Sequence, residues 1–105
     1  MSLRRVNPKR DGNEPEIIHA LQAHGVTVIP LSGRALPDLL CSVHGLLFLV
    51  EVKTRHGKLT VDQAKFWKDH VNNQHVPAHI CRSVEEIPPI LQSVTAWYRR
   101  RVRQL

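Results

Sequence analysis

The chain is short of cysteine, of long apolar runs and of acidic residues, and each shortage excludes something. Its 105 residues include two cysteines, Cys41 and Cys81. A disulfide-built domain of this size carries more. Both lie in apolar stretches, where a thiol serves as a small buried hydrophobe. The longest uninterrupted apolar run, Leu46 to Val50, falls far below the roughly 20 residues needed to cross a bilayer. The basic start Met1-Ser2-Leu3-Arg4-Arg5 is followed by no apolar stretch. No secretory signal is therefore expected, and the cytoplasm is the default location.

Nine Asp and Glu face fifteen Lys and Arg, a net charge of +6 with His neutral. The excess gathers at the ends: Arg4, Arg5, Lys9 and Arg10 at one, Arg99, Arg100, Arg101 and Arg103 at the other. Such a balance favours a polyanionic partner, of which nucleic acid is the commonest. The bland alternative is a solvated tail that keeps the chain soluble. The length fits one domain, 1–105, with a basic arm over 1–12 and a basic tail over 99–105. No internal repeat or low-complexity linker divides it.

Asn13-Glu14-Pro15-Glu16 opens a helix, with Asn13 as a candidate N-cap and Pro15 in the first turn. Ile17, Ile18 and Leu21 give it an apolar face, and Gly25 stops it. Strands are expected over 26–31, 36–43 and 46–53, the last two joined by a tight turn at His44-Gly45. The apolar first half of the third strand suggests a central position, covered on both faces. Thr60-Val61-Asp62-Gln63 has the form of a capping box. It opens a helix with Ala64, Trp67 and Val71 on one face and Phe66 beside them. A fourth strand follows over 76–81. A last helical region begins at Ser83, with Pro88 and Pro89 interrupting or restarting it. The order is α-β-β-β-α-β-α, an α/β fold with a mixed sheet of about four strands. Strands two and three should be antiparallel, and strands three and four parallel through a crossover.

The chemistry gathers at Pro37-Asp38, followed after twelve residues by Glu51-Val52-Lys53. Side chains alternate along a strand, so Glu51 and Lys53 share a face. The hairpin folds Asp38, near the start of one strand, back beside Glu51, near the end of the next. Two carboxylates and an ammonium around one point suit phosphodiester hydrolysis. The carboxylates repel unless a cation lies between them, and hard oxygen ligands select Mg²⁺ or Mn²⁺. Lys53 could orient a water or stabilise developing negative charge. On these residues alone another reading stays open: Glu-Val-Lys is a common way for a strand to leave a core, with both charges solvated.

From Asn13 to about Trp67 the chain resembles the PD-(D/E)xK nuclease superfamily. Within it, the chain is most similar to archaeal Holliday-junction resolvases and VRR-type nucleases, including short phage-encoded forms. The resemblance rests on the acidic helix start Glu14-Pro15-Glu16-Ile17-Ile18, Gly25 and the Ser32-Gly33 loop. It continues through Pro37-Asp38-Leu39-Leu40, Glu51-Val52-Lys53 and Leu59-Thr60-Val61-Asp62-Gln63. It implies a restriction-endonuclease-like core and a metal-dependent endonuclease acting on DNA, with branched forms such as junctions or flaps as the expected substrates. It implies Mg²⁺ or Mn²⁺ but no organic cofactor, and a bacterial or phage origin. Asp38 and Glu51 would be metal ligands and Lys53 the catalytic lysine. An acidic residue near the first helix start would complete the site. Glu14, eleven residues before Gly25, fits this better than Glu16. Gln63 would lie close to the metal, although a capping box wants Gln there in any case. Ser32, Arg34 and Lys58 are candidate phosphate contacts, with Arg4, Arg5, Lys9 and Arg10 of the arm. Relatives that cut two strands pair their sites symmetrically, so a homodimer is expected, with the apolar last helix as its interface.

Seven histidines invite a zinc reading. His75 and His79 would stand about 13 Å apart on a strand, too far for one ion. Trp67, Trp97 and Tyr98 read as core or interface rather than as base-stacking platforms. Two rivals to the nuclease reading remain: an inactive nucleic-acid-binding module on the same fold, and a basic accessory protein.

Overall fold

The computed structural model describes residues 12–103. Helix α1 spans Glu14–Ala23, β1 Thr27–Pro30, β2 Leu39–Val43 and β3 Leu46–Val52. Helix α2, Val61–Phe66, runs into a π-helical turn over Trp67–Asn72. Strand β4 spans Ala78–Cys81, and a 3₁₀ turn over Val84–Glu86 leads into α3, Ile87–Arg103. The sheet order is β1-β2-β3-β4, with β1/β2 and β2/β3 antiparallel and β3/β4 parallel. This is the mixed α/β arrangement expected from the sequence.

Local chemistry explains the boundaries. His44 and Gly45, at φ 51° and 79°, form the tight β2–β3 connection, and paired positive φ values match the twist of the flanking strands. Gly25, at φ 84°, ends α1. Strand β2 starts at Leu39 rather than at 36, because Pro37 has no amide to give to a ladder. Pro77 shortens β4 in the same way. Pro88 and Pro89 restart the last helix rather than break it. They occupy the first turn of α3, where an amide would have no acceptor within the helix.

One face of the sheet carries Leu39, Cys41 and Val43 of β2 with Phe48, Val50 and Val52 of β3. Ile17 and Leu21 of α1 and Ile87, Ile90 and Val94 of α3 close over it. Truncating a residue so enclosed, such as Phe48 to Ala, would cost about 3–5 kcal/mol. Cys41 and Cys81 are both free and buried, and burial pushes their thiols up to about 12 and about 11.

Four expectations need correction. Strand β3 is central but not covered along both faces, since Leu47 is 55% exposed and Ile29 of β1, on the same side, is 53% exposed. Asn13 precedes α1 without capping it: its side chain donates instead to the carbonyls of Lys53 and Arg82, both at 3.2 Å. The helix opened by Thr60 is not one regular helix. Its π turn spreads the apolar stripe, leaving Ala64 exposed and Phe66, Trp67 and Val71 half-buried. Finally, the apolar stripe of α3 is spent on the core, so it is no free interface. Arg99, Arg100, Arg101 and Arg103 lie in the last turns of α3, where positive charge suits the helix dipole. No helix among the described residues is long and apolar enough to cross a membrane.

Candidate active site

The candidate residues meet where β2 begins and β3 ends, on the face opposite the helical core. Asp38 stands one residue before β2, and continuing the register of Leu39 with Val50 sets it across from Glu51. Its Oδ2 accepts the Val52 amide at 2.8 Å, and its carbonyl accepts the Leu31 amide at 2.7 Å. Asp38 therefore replaces a ladder partner with its own side chain, which fixes its carboxylate at the hairpin's open end.

Glu51 is 1% exposed. Its carboxyl is pushed up to about 7, by burial first and then by the nearby Asp38 charge, against the opposing pull of Lys53. A side-chain hydrogen bond with Asp38 also favours the protonated form, as expected when two carboxyls share one proton. Lys53 Nζ lies 3.3 Å from Glu51 Oε2.

Gln63 ties the group to α2. Its Nε2 donates to Glu51 Oε2 at 3.0 Å, while its Oε1 accepts from Lys53 Nζ at 2.9 Å. The same Oε1 accepts the Thr60 amide at 2.9 Å, and the Gln63 amide donates to Thr60 Oγ1 at 3.2 Å. The capping box is complete. Capping and site-building are thus one arrangement here: the oxygen that caps α2 also holds the lysine.

The other candidates fall at different depths. Glu14 is buried, 5% exposed, at the start of α1, whereas Glu16 points to solvent. The bonds from Asn13 to Lys53 and Arg82 bring that helix start against the ends of β3 and β4. Arg34, its side chain 88% exposed, reaches Asp62 of α2 at 3.8 Å, which puts it at the rim of the site beside exposed Ser32. Lys58 is exposed in the loop after Lys53. Arg4, Arg5, Lys9 and Arg10 lie outside the described residues.

Two contributors escaped the sequence reading. Arg82 Nη1 donates to the carbonyls of Thr54 at 2.8 Å and Gly57 at 2.6 Å, clamping the loop that follows Lys53. Its position directly after an apolar strand was the only hint. Asn13 was visible, but as a cap.

The donor chemistry suits a divalent cation. The Glu51 Oε1 atom is buried with no hydrogen-bond partner, a costly state that an oxygen-seeking cation would relieve. Asp38 and Glu51 supply hard oxygens of one charge at one point. Among the described residues no group of three or more His, Cys, Asp and Glu is gathered to hold a metal.

No family model matches the chain, and no curated protein matches it by sequence. In fold, it is similar to a solved structure described as a "VRR_NUC domain", with a TM-score of 0.63 and 20% identity over 78% of this chain and 97% of that one.

Proposed function

We propose that the chain is a divalent-metal-dependent endonuclease that hydrolyses DNA phosphodiester bonds at the Asp38–Glu51–Lys53–Gln63 cluster. The observation that carries this reading is the buried Glu51 carboxyl, set against Asp38 and bonded to both Lys53 and Gln63. Like charges crowded at one buried point are unfavourable for folding alone. They make sense where a cation and a phosphate are to be received. The fold shared with a structure named VRR_NUC domain supports the same reading, as does the +6 charge.

Asp38 and Glu51 would hold Mg²⁺ or Mn²⁺, with Glu14 the candidate third carboxylate from α1. Bound there, the ion supplies charge neutralisation at the phosphate and an acidified water. Lys53 supplies the positive charge facing the phosphate as negative charge builds on it, and can take a proton relay role through its ammonium. Gln63 holds Lys53 and Glu51 at fixed separation, so neither must reorganise during the reaction. Arg34, Ser32 and Lys58, at the rim, would meet the flanking phosphates, joined by Arg4, Arg5, Lys9 and Arg10. Pairing of two copies would set two such sites on two strands.

The test is cleavage of a panel of junction, flap, nicked, single-stranded and linear DNAs, each with Mg²⁺, Mn²⁺ or chelator. Metal-dependent cleavage of branched substrates ahead of linear ones is expected. DNA binding without cleavage of any substrate would favour an inactive binding module instead.

A further inference from the structure

A second charged site lies at the opposite end of the sheet. Trp97, Arg100 and Arg101 of α3, with His75 of the loop before β4, line a hollow of about 300 Å³. His75, Trp97 and Arg100 also border an adjoining hollow of about 230 Å³. No Asp or Glu lines either hollow among the described residues. The Arg101 guanidinium stacks 4.8 Å over the Trp97 ring. Trp97 is braced edge-on by Tyr98, whose hydroxyl donates to the Leu47 carbonyl at 2.7 Å.

Stacking of this kind fixes the plane of a guanidinium and leaves its N–H edges facing outward, so little freedom is lost when an oxyanion is gripped. His75 completes the hollow from a left-handed backbone conformation, φ 60°. That conformation is uncommon for a residue with a Cβ and tends to persist where a side chain must be aimed. Among the described residues no carboxylate pairs with either arginine.

We propose that His75, Arg100 and Arg101 form a second phosphodiester-binding site, which grips the nucleic-acid backbone away from the point of cleavage. It rests on the reading of the chain as a DNA-acting protein. Leu47, beside this site, and Lys53, at the other, stand at opposite ends of β3, about 20 Å apart at roughly 3.3 Å per residue. At about 3.4 Å of rise per nucleotide on one strand, that spans about six base pairs. The site would hold a duplex arm about half a helical turn from the scissile bond.

The test is binding of a labelled duplex of roughly 20 base pairs, followed by anisotropy in chelator across a salt series. In chelator no cleavage occurs, so binding is read independently of catalysis. The double variant R100A/R101A is compared with R99A/R103A, which removes equal charge from the same helix outside the hollow. R100A/R101A should weaken binding about tenfold more than its control and lower the salt slope by about two. R101K, which keeps charge but loses the planar stack, should weaken binding several-fold with the slope unchanged. Circular dichroism of each variant should match that of the wild type. Equal losses in the two double variants, with the wild type binding and cleaving DNA, would overturn this site alone. Failure of the wild type to bind or cleave any DNA would overturn the site together with the reading beneath it.

Discussion

Asp38 and Glu51 face each other across the open end of the β2–β3 hairpin, where the Asp38 charge adds to burial in raising the Glu51 carboxyl. One consequence is a stability that runs against the usual pH trend. The Glu51 carboxyl is raised by burial from 4.5 to about 7, so the folded chain binds more protons than the unfolded chain between those values. Its contribution to stability is therefore greatest below pH 4.5 and falls as pH rises toward 7. At about 1.4 kcal/mol per pH unit, the loss is on the order of a few kcal/mol. Glu51→Gln should abolish this fall. Denaturant unfolding in chelator at pH 5 and pH 8 should show a Glu51-dependent loss of stability in the wild type that is missing from the variant.

A bound cation should reverse the penalty. Mg²⁺ or Mn²⁺ should raise the melting temperature, and more so at pH 8 than at pH 5.5, because protons compete for Glu51. At a hundredfold excess over its dissociation constant the ion would add about 2.7 kcal/mol. Asp38→Ala should remove the response. Thermal melts with and without Mn²⁺ decide it, and an unchanged Mn²⁺ response in Asp38→Ala would place the ion elsewhere.

Gln63 separates capping from site-building. Thr60→Ala removes the side-chain cap of α2 but leaves the Gln63 side chain on Glu51 and Lys53. Its cost should be about 1 kcal/mol with little change in cleavage. Gln63→Ala removes the bonds to Glu51 and Lys53 as well, and should lower cleavage about 10- to 100-fold at a similar cost in stability. Parallel unfolding and cleavage measurements on the two variants test this. Equal losses of activity would show that Gln63 only caps.

Much of this arrangement was legible in the chain. Strand alternation sets Glu51 beside Lys53, a two-residue turn sets Asp38 across from Glu51, and Thr60 with Gln63 spells a capping box. Each depends on neighbours close in sequence. What the sequence hid depends on distant ones. Asn13 looks like a cap because capping is local, whereas its partners lie 40 and 69 residues away. The open face of β3 is hidden from the sequence because Leu47 is apolar whether or not another element covers it, and here it is 55% exposed. The π turn after Phe66 follows no residue pattern that periodicity detects.

Arg82 should act through the loop it holds. Arg82→Ala removes the hydrogen bonds to Thr54 and Gly57, and should cost about 1.5–3 kcal/mol. Amide exchange at Gly57, which donates to the Thr54 carbonyl at 3.1 Å, should quicken at least tenfold. Cleavage should fall mainly through a raised KM, because Lys58 on that loop would meet substrate less often.

The most direct test is cleavage of a branched DNA by wild type, Asp38→Ala and Lys53→Met in Mn²⁺, alongside Mn²⁺ titration of each. The account predicts that wild type binds the ion and cuts, Lys53→Met binds the ion without cutting, and Asp38→Ala does neither. Undiminished cleavage by Asp38→Ala and Lys53→Met would contradict it.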